Sequence, residues 1–117
     1  MSSIFTKIIN REIPAEIIFE NENYIAILDI NPVRVGHTLV IPKKETDYIF
    51  DLNDSEYSEL MLTTKEVAKI LENKYQNINQ GIKRIGIFVD GSMVPHVHVH
   101  LIPMYQDDQF GLELIRK

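Results

Sequence analysis

Three of the chain's four histidines alternate with apolar residues in one run, Pro95-His96-Val97-His98-Val99-His100-Leu101-Ile102-Pro103. The β-branched valines between them favour an extended strand, in which successive side chains point to opposite faces. His96, His98 and His100 then share one face, while Val97, Val99 and Leu101 meet a core on the other. A helix would turn each successive histidine by about 200° and scatter the three around its surface. A strand instead presents a row of imidazoles, each able to accept a proton, donate one or attack an electrophile near neutral pH.

Leaving three imidazoles on a solvated face brings no packing gain, and burying them without partners is costly. A metal site is the main rival reading. His96 and His100 stand four residues apart, so their Cα atoms lie about 13 Å apart at about 3.4 Å per residue. Zinc needs its nitrogens at about 2.0–2.1 Å, so one ion cannot readily gather all three rings. A two-histidine site completed by His37 and a carboxylate stays open. An elongated anion, such as a chain of phosphates, matches the row better.

His37 opens the run Thr38-Leu39-Val40-Ile41 and is the candidate fourth imidazole of the same site. Asp29 closes an apolar strand before Ile30-Asn31-Pro32. It reads either as a turn-capping residue or as a carboxylate accepting hydrogen bonds from a ribose diol. The turn Asp90-Gly91-Ser92-Met93 is either a plain hairpin or a place where backbone N–H groups cradle phosphate. Gly91 and Ser92 are therefore candidate phosphate contacts.

These residues need a frame. Ile4, Phe5, Ile8 and Ile9 recur at helical spacing, predicting a short helix over about 4–9, broken by Ile13-Pro14-Ala15. Strands are expected at 16–20 and 24–29, joined by a hairpin at Asn21-Glu22-Asn23, then at 37–42, 83–89 and along the histidine run. One long helix begins after Asn53 or Asp54, with Glu56 completing a capping box. Its buried face is expected from Tyr57, Leu60, Met61, Thr64, Val67, Ala68, Leu71 and Tyr75. The layout is α+β, about five mostly antiparallel strands with one long and one short helix.

The 117 residues suit one domain, with 44% apolar and 25% charged residues. A net charge of −5 argues against a nucleic-acid polymer as partner, though not against a small phosphorylated ligand. With no cysteine there is no disulfide, thiol nucleophile or Cys-type zinc site. Met1–Lys7 holds no apolar run suited to a signal peptide, and no stretch approaches the roughly 20 apolar residues of a membrane span. A cytoplasmic location is the expectation.

His96-Val97-His98-Val99-His100-Leu101-Ile102 resembles the signature of the histidine triad (HIT) family, three histidines alternating with apolar residues. Ile4-Phe5-Thr6-Lys7-Ile8-Ile9, Glu12-Ile13-Pro14-Ala15, Ala26-Ile27-Leu28-Asp29-Ile30-Asn31-Pro32 and Gly36-His37-Thr38-Leu39-Val40-Ile41-Pro42-Lys43-Lys44 follow in family order. The resemblance covers about residues 3–103 of a single HIT domain, with a divergent tail at 104–117. It is nearest to the small nucleotide-binding branch that hydrolyses purine nucleoside phosphoramidates.

The resemblance implies that His98 attacks the α-phosphorus and forms a covalent nucleotidyl-histidine, which water then releases as a nucleoside monophosphate. A backbone carbonyl is the expected acceptor for Nδ1–H of His98, leaving the Nε2 lone pair to attack. It further implies that His37 and His100 contact phosphate oxygens, His96 supports the row, and Asp29 binds ribose. Ile4, Phe5, Ile8 and Ile27 would form an apolar base slot, although the same residues serve equally well as core. No cofactor or metal is expected, and the relatives imply a homodimer. A dinucleoside polyphosphate hydrolase and a non-catalytic nucleotide-binding scaffold are the alternatives.

Departures from the family pattern concern metal and phosphate. Ser3, Thr6 and Glu45 stand where many bacterial relatives place a Cys-x-x-Cys pair and a histidine that hold structural zinc. The phosphate loop is cut to Val89-Asp90-Gly91-Ser92-Met93, without the usual Asn, Gln and following hydroxyl.

Overall fold

A computed structural model describes residues 2–109, so most of the divergent tail expected at 104–117 lies outside the described residues. Ser3 starts helix α1 (Ile4–Ile9), its Oγ accepting the Thr6 N–H at 3.1 Å. Strands β1 (Ile17–Glu20) and β2 (Tyr24–Leu28) form the expected hairpin. Its turn is held by Asn21 Oδ1, which accepts the backbone N–H groups of Asn23 and Tyr24. Strand β3 (Thr38–Pro42) follows, then a 3-10 turn at Ile49–Asp51. Helix α2 (Asp54–Lys74) starts from a complete capping box between Asn53 and Glu56. Strands β4 (Ile82–Phe88) and β5 (Val99–Tyr105) complete the sheet.

The sheet order is β1-β2-β3-β5-β4, and every adjacent pair is antiparallel. The fold is thus α+β, as the strand and helix patterns predict. Alternation along the strands gives two apolar layers. On one face Tyr24, Ala26, Val40, Val97, Val99 and Leu101 pack against Leu60, Val67 and Leu71 of α2. On the other, Ile25, Ile27, Leu39 and Ile41 pack against Phe5 and Ile8 of α1. His100 sits opposite Leu39, on the α1 side.

Three expectations need correction. The histidine run is not all regular strand: β5 pairing begins at Val99. Before it, the Val97 N–H bonds to the Thr46 carbonyl at 2.7 Å and the His96 N–H to the Val94 carbonyl at 2.8 Å. Facing a loop rather than β3, this stretch keeps the two-sided alternation without the ladder. In the other direction β5 runs through Pro103 to Tyr105. Pro103 lies past Leu101, the last β5 residue opposite β3, where a missing N–H is tolerated on the unpaired side. Finally, Tyr57 is 38% exposed rather than buried, because it fronts a cavity described below.

Gly36 shapes the entry to β3. Its φ is +90°, and a Cβ there would lie 2.9 Å from the Tyr75 ring and 3.3 Å from Pro103. Only glycine fits this corner without strain, and the corner sets where His37 emerges.

Candidate active site

The four imidazoles are each fixed by partners whose chemistry dictates where the proton sits. His98 Nδ1 lies 2.7 Å from the His96 carbonyl. A carbonyl only accepts, so Nδ1 carries the hydrogen and a neutral ring keeps its lone pair on Nε2. His96 is fully buried. Its Nε2–H donates to the Pro42 carbonyl at 2.7 Å, so Nδ1 accepts from the Ser3 hydroxyl at 2.6 Å.

The second pair follows the same logic. His37 Nδ1 accepts the Val33 N–H at 3.1 Å, which leaves the hydrogen on Nε2. That Nε2–H reaches His100 Nδ1 at 2.9 Å, with Asp29 Oδ2 3.6 Å away. His100 therefore accepts at Nδ1 and carries its own hydrogen on Nε2. The result is one ring with a nucleophilic nitrogen, His98, beside one with a donor nitrogen, His100, their centroids 5.1 Å apart.

Burial keeps the supporting rings uncharged. It is the chief cause lowering the pKa of His96 and of His37, and the Asp29 carboxylate opposes it at His37. His100 is pushed down to about 4, by burial first and then by repulsion from His98 and His37. Phe5 adds an edge contact from α1, 4.8 Å from His98 and 5.8 Å from His96 between ring centroids.

The remaining predicted residues divide. Asp29 serves its turn, accepting the Asn31 N–H at 2.8 Å through Oδ1, while Oδ2 faces His37. Gly91 and Ser92 line a cavity of about 550 Å³ that His98 also lines. In the loop itself Asp90 Oδ1 accepts the Ser92 N–H at 3.3 Å. Phe5, Ile8 and Ile27 are packed in the α1-side core, whereas Ile4 is 46% exposed.

The aromatic wall of that cavity is formed by Tyr48, Phe50 and Tyr57, of which Tyr57 alone carries a sequence pattern, as part of the α2 face. Phe50 stands 5.5 Å from Tyr48 and 6.4 Å from Tyr57, centroid to centroid. The available signal for Tyr48 and Phe50 is the apolar run Tyr48-Ile49-Phe50, separated by Asp51 and Leu52 from the helix cap Asn53, with no period to assign it to a core.

Two sets of residues bear on metal. Donor atoms of Asp29, His37 and His100 lie within 4.8 Å of one another. A cation there would need lone pairs on both imidazoles, yet the Val33 N–H forces the hydrogen onto His37 Nε2, which points at His100. This hydrogen-bonded arrangement does not fit a cation. Where the resemblance would place zinc ligands, the Thr6 hydroxyl donates to Glu45 Oε1 at 2.6 Å and Ser3 Oγ is shared between His96 and the Thr6 N–H. Hydroxyls so engaged do not fit a thiolate zinc site either.

The HIT domain family profile matches residues 10–107. The chain belongs to the HIT family. An uncharacterised HIT-like protein of Methanocaldococcus jannaschii is 39% identical over 109 residues, covering 90% of this chain and 81% of that protein. An adenosine 5′-monophosphoramidase of Schizosaccharomyces pombe is 35% identical, covering 96% and 80% respectively. Among solved structures, a HIT family member from Bacillus subtilis superposes with a TM-score of 0.80 at 29% identity, covering 92% of this chain and 76% of its own. Relatives named as monophosphoramidases support a HIT hydrolase at the level of the family.

Proposed function

We propose that this HIT protein hydrolyses purine nucleoside 5′-phosphoramidates through a nucleotidyl-His98 intermediate. The observation that carries the reading is the 2.7 Å bond from Nδ1 of His98 to the His96 carbonyl, on a ring lining the cavity beside Gly91 and Ser92. In the first step the Nε2 lone pair attacks the α-phosphorus. The P–N bond to the leaving amine breaks, and that nitrogen takes its proton from solvent or a neighbouring donor. In the second step water attacks the same phosphorus and gives up one proton to solvent, the P–N bond to His98 breaks with its electron pair returning to Nε2, and the nucleoside monophosphate leaves. His98 ends neutral, its Nδ1–H unchanged.

The other rings take roles their protons permit. Nε2–H of His100 donates to a phosphoryl oxygen and offsets charge developing there. His37 holds His100 in that tautomer, and Asp29 beside it accepts from the ribose diol. Gly91 offers its backbone N–H to the phosphate and Ser92, whose N–H is taken by Asp90, its hydroxyl, and the base lies against Ile4 beside Phe5, Ile8 and Ile27. A purine nucleotide is the partner, in a single-domain cytoplasmic homodimer whose two sheets join. No helix among the described residues is long and apolar enough to cross a membrane.

The aromatic cavity favours a second reading, a dinucleoside polyphosphate hydrolase, because Tyr48, Phe50 and Tyr57 could stack a second base. Incubating wild type and His98→Ala with adenosine 5′-phosphoramidate and with diadenosine tetraphosphate separates the two. Release of AMP from the first alone, lost by at least roughly 10³-fold in the variant and unaffected by chelator, is expected. Turnover confined to the second compound favours the alternative, and binding without turnover of either favours a scaffold.

A further inference from the structure

The carbonyl that fixes the tautomer of His98 belongs to a residue the sheet does not hold. His96 precedes β5, whose pairing starts at Val99; its own N–H bonds locally to Val94, and the peptide that carries its carbonyl is held from the other side by the Val97 N–H on Thr46. Its ring is in addition fastened at both ends by other elements. Nε2–H donates to the Pro42 carbonyl at the end of β3, and Nδ1 accepts from Ser3 at the cap of α1, at 2.7 and 2.6 Å. Two ring bonds roughly at opposite ends of an imidazole leave it little freedom to rotate, so they locate its backbone as well.

Ser3 is itself placed with unusual care. It is only 7% exposed, its N–H donates to Glu45 Oε1 at 3.0 Å, and its Oγ accepts the Thr6 N–H at 3.1 Å. Glu45 Oε1 also takes the Thr6 hydroxyl at 2.6 Å. Thr6 Oγ1 is a second acceptor, 3.4 Å from Ser3 Oγ, but His96 Nδ1 is much nearer at 2.6 Å and can only accept, so the one hydroxyl hydrogen of Ser3 goes to His96. Reversing the polarity of that bond is blocked as long as Pro42 offers only an acceptor to the far nitrogen.

We propose that Ser3 is a positioning residue for His98, acting through His96: its hydroxyl holds the His96 ring so that the His96 carbonyl fixes the proton on His98 Nδ1. The N-terminal helix cap thereby governs the fraction of protein whose His98 presents a lone pair at Nε2. The kinetic arm of this inference rests on the hydrolase reading above; the structural arm does not.

Ser3→Gly tests it, because glycine removes the hydroxyl while remaining a well-tolerated helix N-cap. Side-chain ¹⁵N spectra of uniformly labelled full-length protein report each imidazole tautomer directly. In wild type, His96 is expected protonated at Nε2 and His98 at Nδ1. In Ser3→Gly, His98 shows a mixture of tautomers, and kcat for adenosine phosphoramidate falls about tenfold, the effect of losing one such bond, with KM little changed. Ser3→Thr restores the hydroxyl and recovers both the single tautomer and kcat. A folded Ser3→Gly protein with an unmoved His98 signal overturns the inference. So does a wild-type His96 protonated at Nδ1, which needs no variant to observe. If the tautomers shift while even wild type turns over no phosphoramidate, the positioning role stands and the hydrolase reading falls.

Discussion

Four imidazoles in one site could in principle hold many protonation states, but backbone groups reduce the choices to one. Peptide N–H and C=O groups cannot exchange roles, so the Val33 N–H and the His96 and Pro42 carbonyls impose a tautomer on three rings, and His37 imposes the fourth on His100. Burial then keeps the supporting rings from gaining a second proton. The outcome separates a nucleophilic nitrogen on His98 from a donor nitrogen on His100. His100 accordingly titrates near pH 4, and an NMR titration of its ring should show no charging at pH 5.5. A midpoint at the ordinary imidazole value would mean that water reaches the ring and that burial does not hold it neutral.

The elements carry these rings to one place from distant parts of the chain: His37 from the corner before β3, His96 and His98 from the approach to β5, and His100 from β5 itself, with Ser3 joining them from the cap of α1. Gly36 makes the second corner. Replacing it with alanine forces a Cβ against Tyr75 and Pro103 in a left-handed conformation, and denaturant unfolding should show a loss of about 1–3 kcal/mol. Local signals in the sequence were sufficient for much of this. The Asn53–Glu56 box, the α1 pattern, the 21–23 hairpin and the alternation of the histidine run each depend on neighbours in sequence, and each is present in the structure. What lay beyond reach was non-local. Insertion of β5 between β3 and β4 has no short-range signature, and neither does the Ser3–His96 bond across 93 positions. The start of β5 was misplaced because alternation survives where pairing does not. Tyr48 and Phe50 were passed over because a 3-10 turn offers no period to read.

The molecule as a whole is built around neutral histidines, and its stability should show it. His37, His96 and His100 all have folded-state pKa values below the ordinary 6.5. Above about pH 6.5 the rings are neutral in both folded and unfolded chains, so full stability is present. As pH falls, the unfolded chain gains protons first, and stability is lost progressively toward pH 4, where His100 begins to charge. Urea midpoints should therefore decline from pH 7.5 to 4.5, and replacing His100 with glutamine should flatten that decline; a pH-independent midpoint would contradict it. The most direct measurement is rapid acid-free quenching of the protein during turnover of adenosine 5′-phosphoramidate, followed by peptide mass spectrometry. An adenylyl group on His98, labile to acid and missing in His98→Ala, is the predicted result. Turnover with no adduct on His98, or an adduct on another residue, would contradict the account.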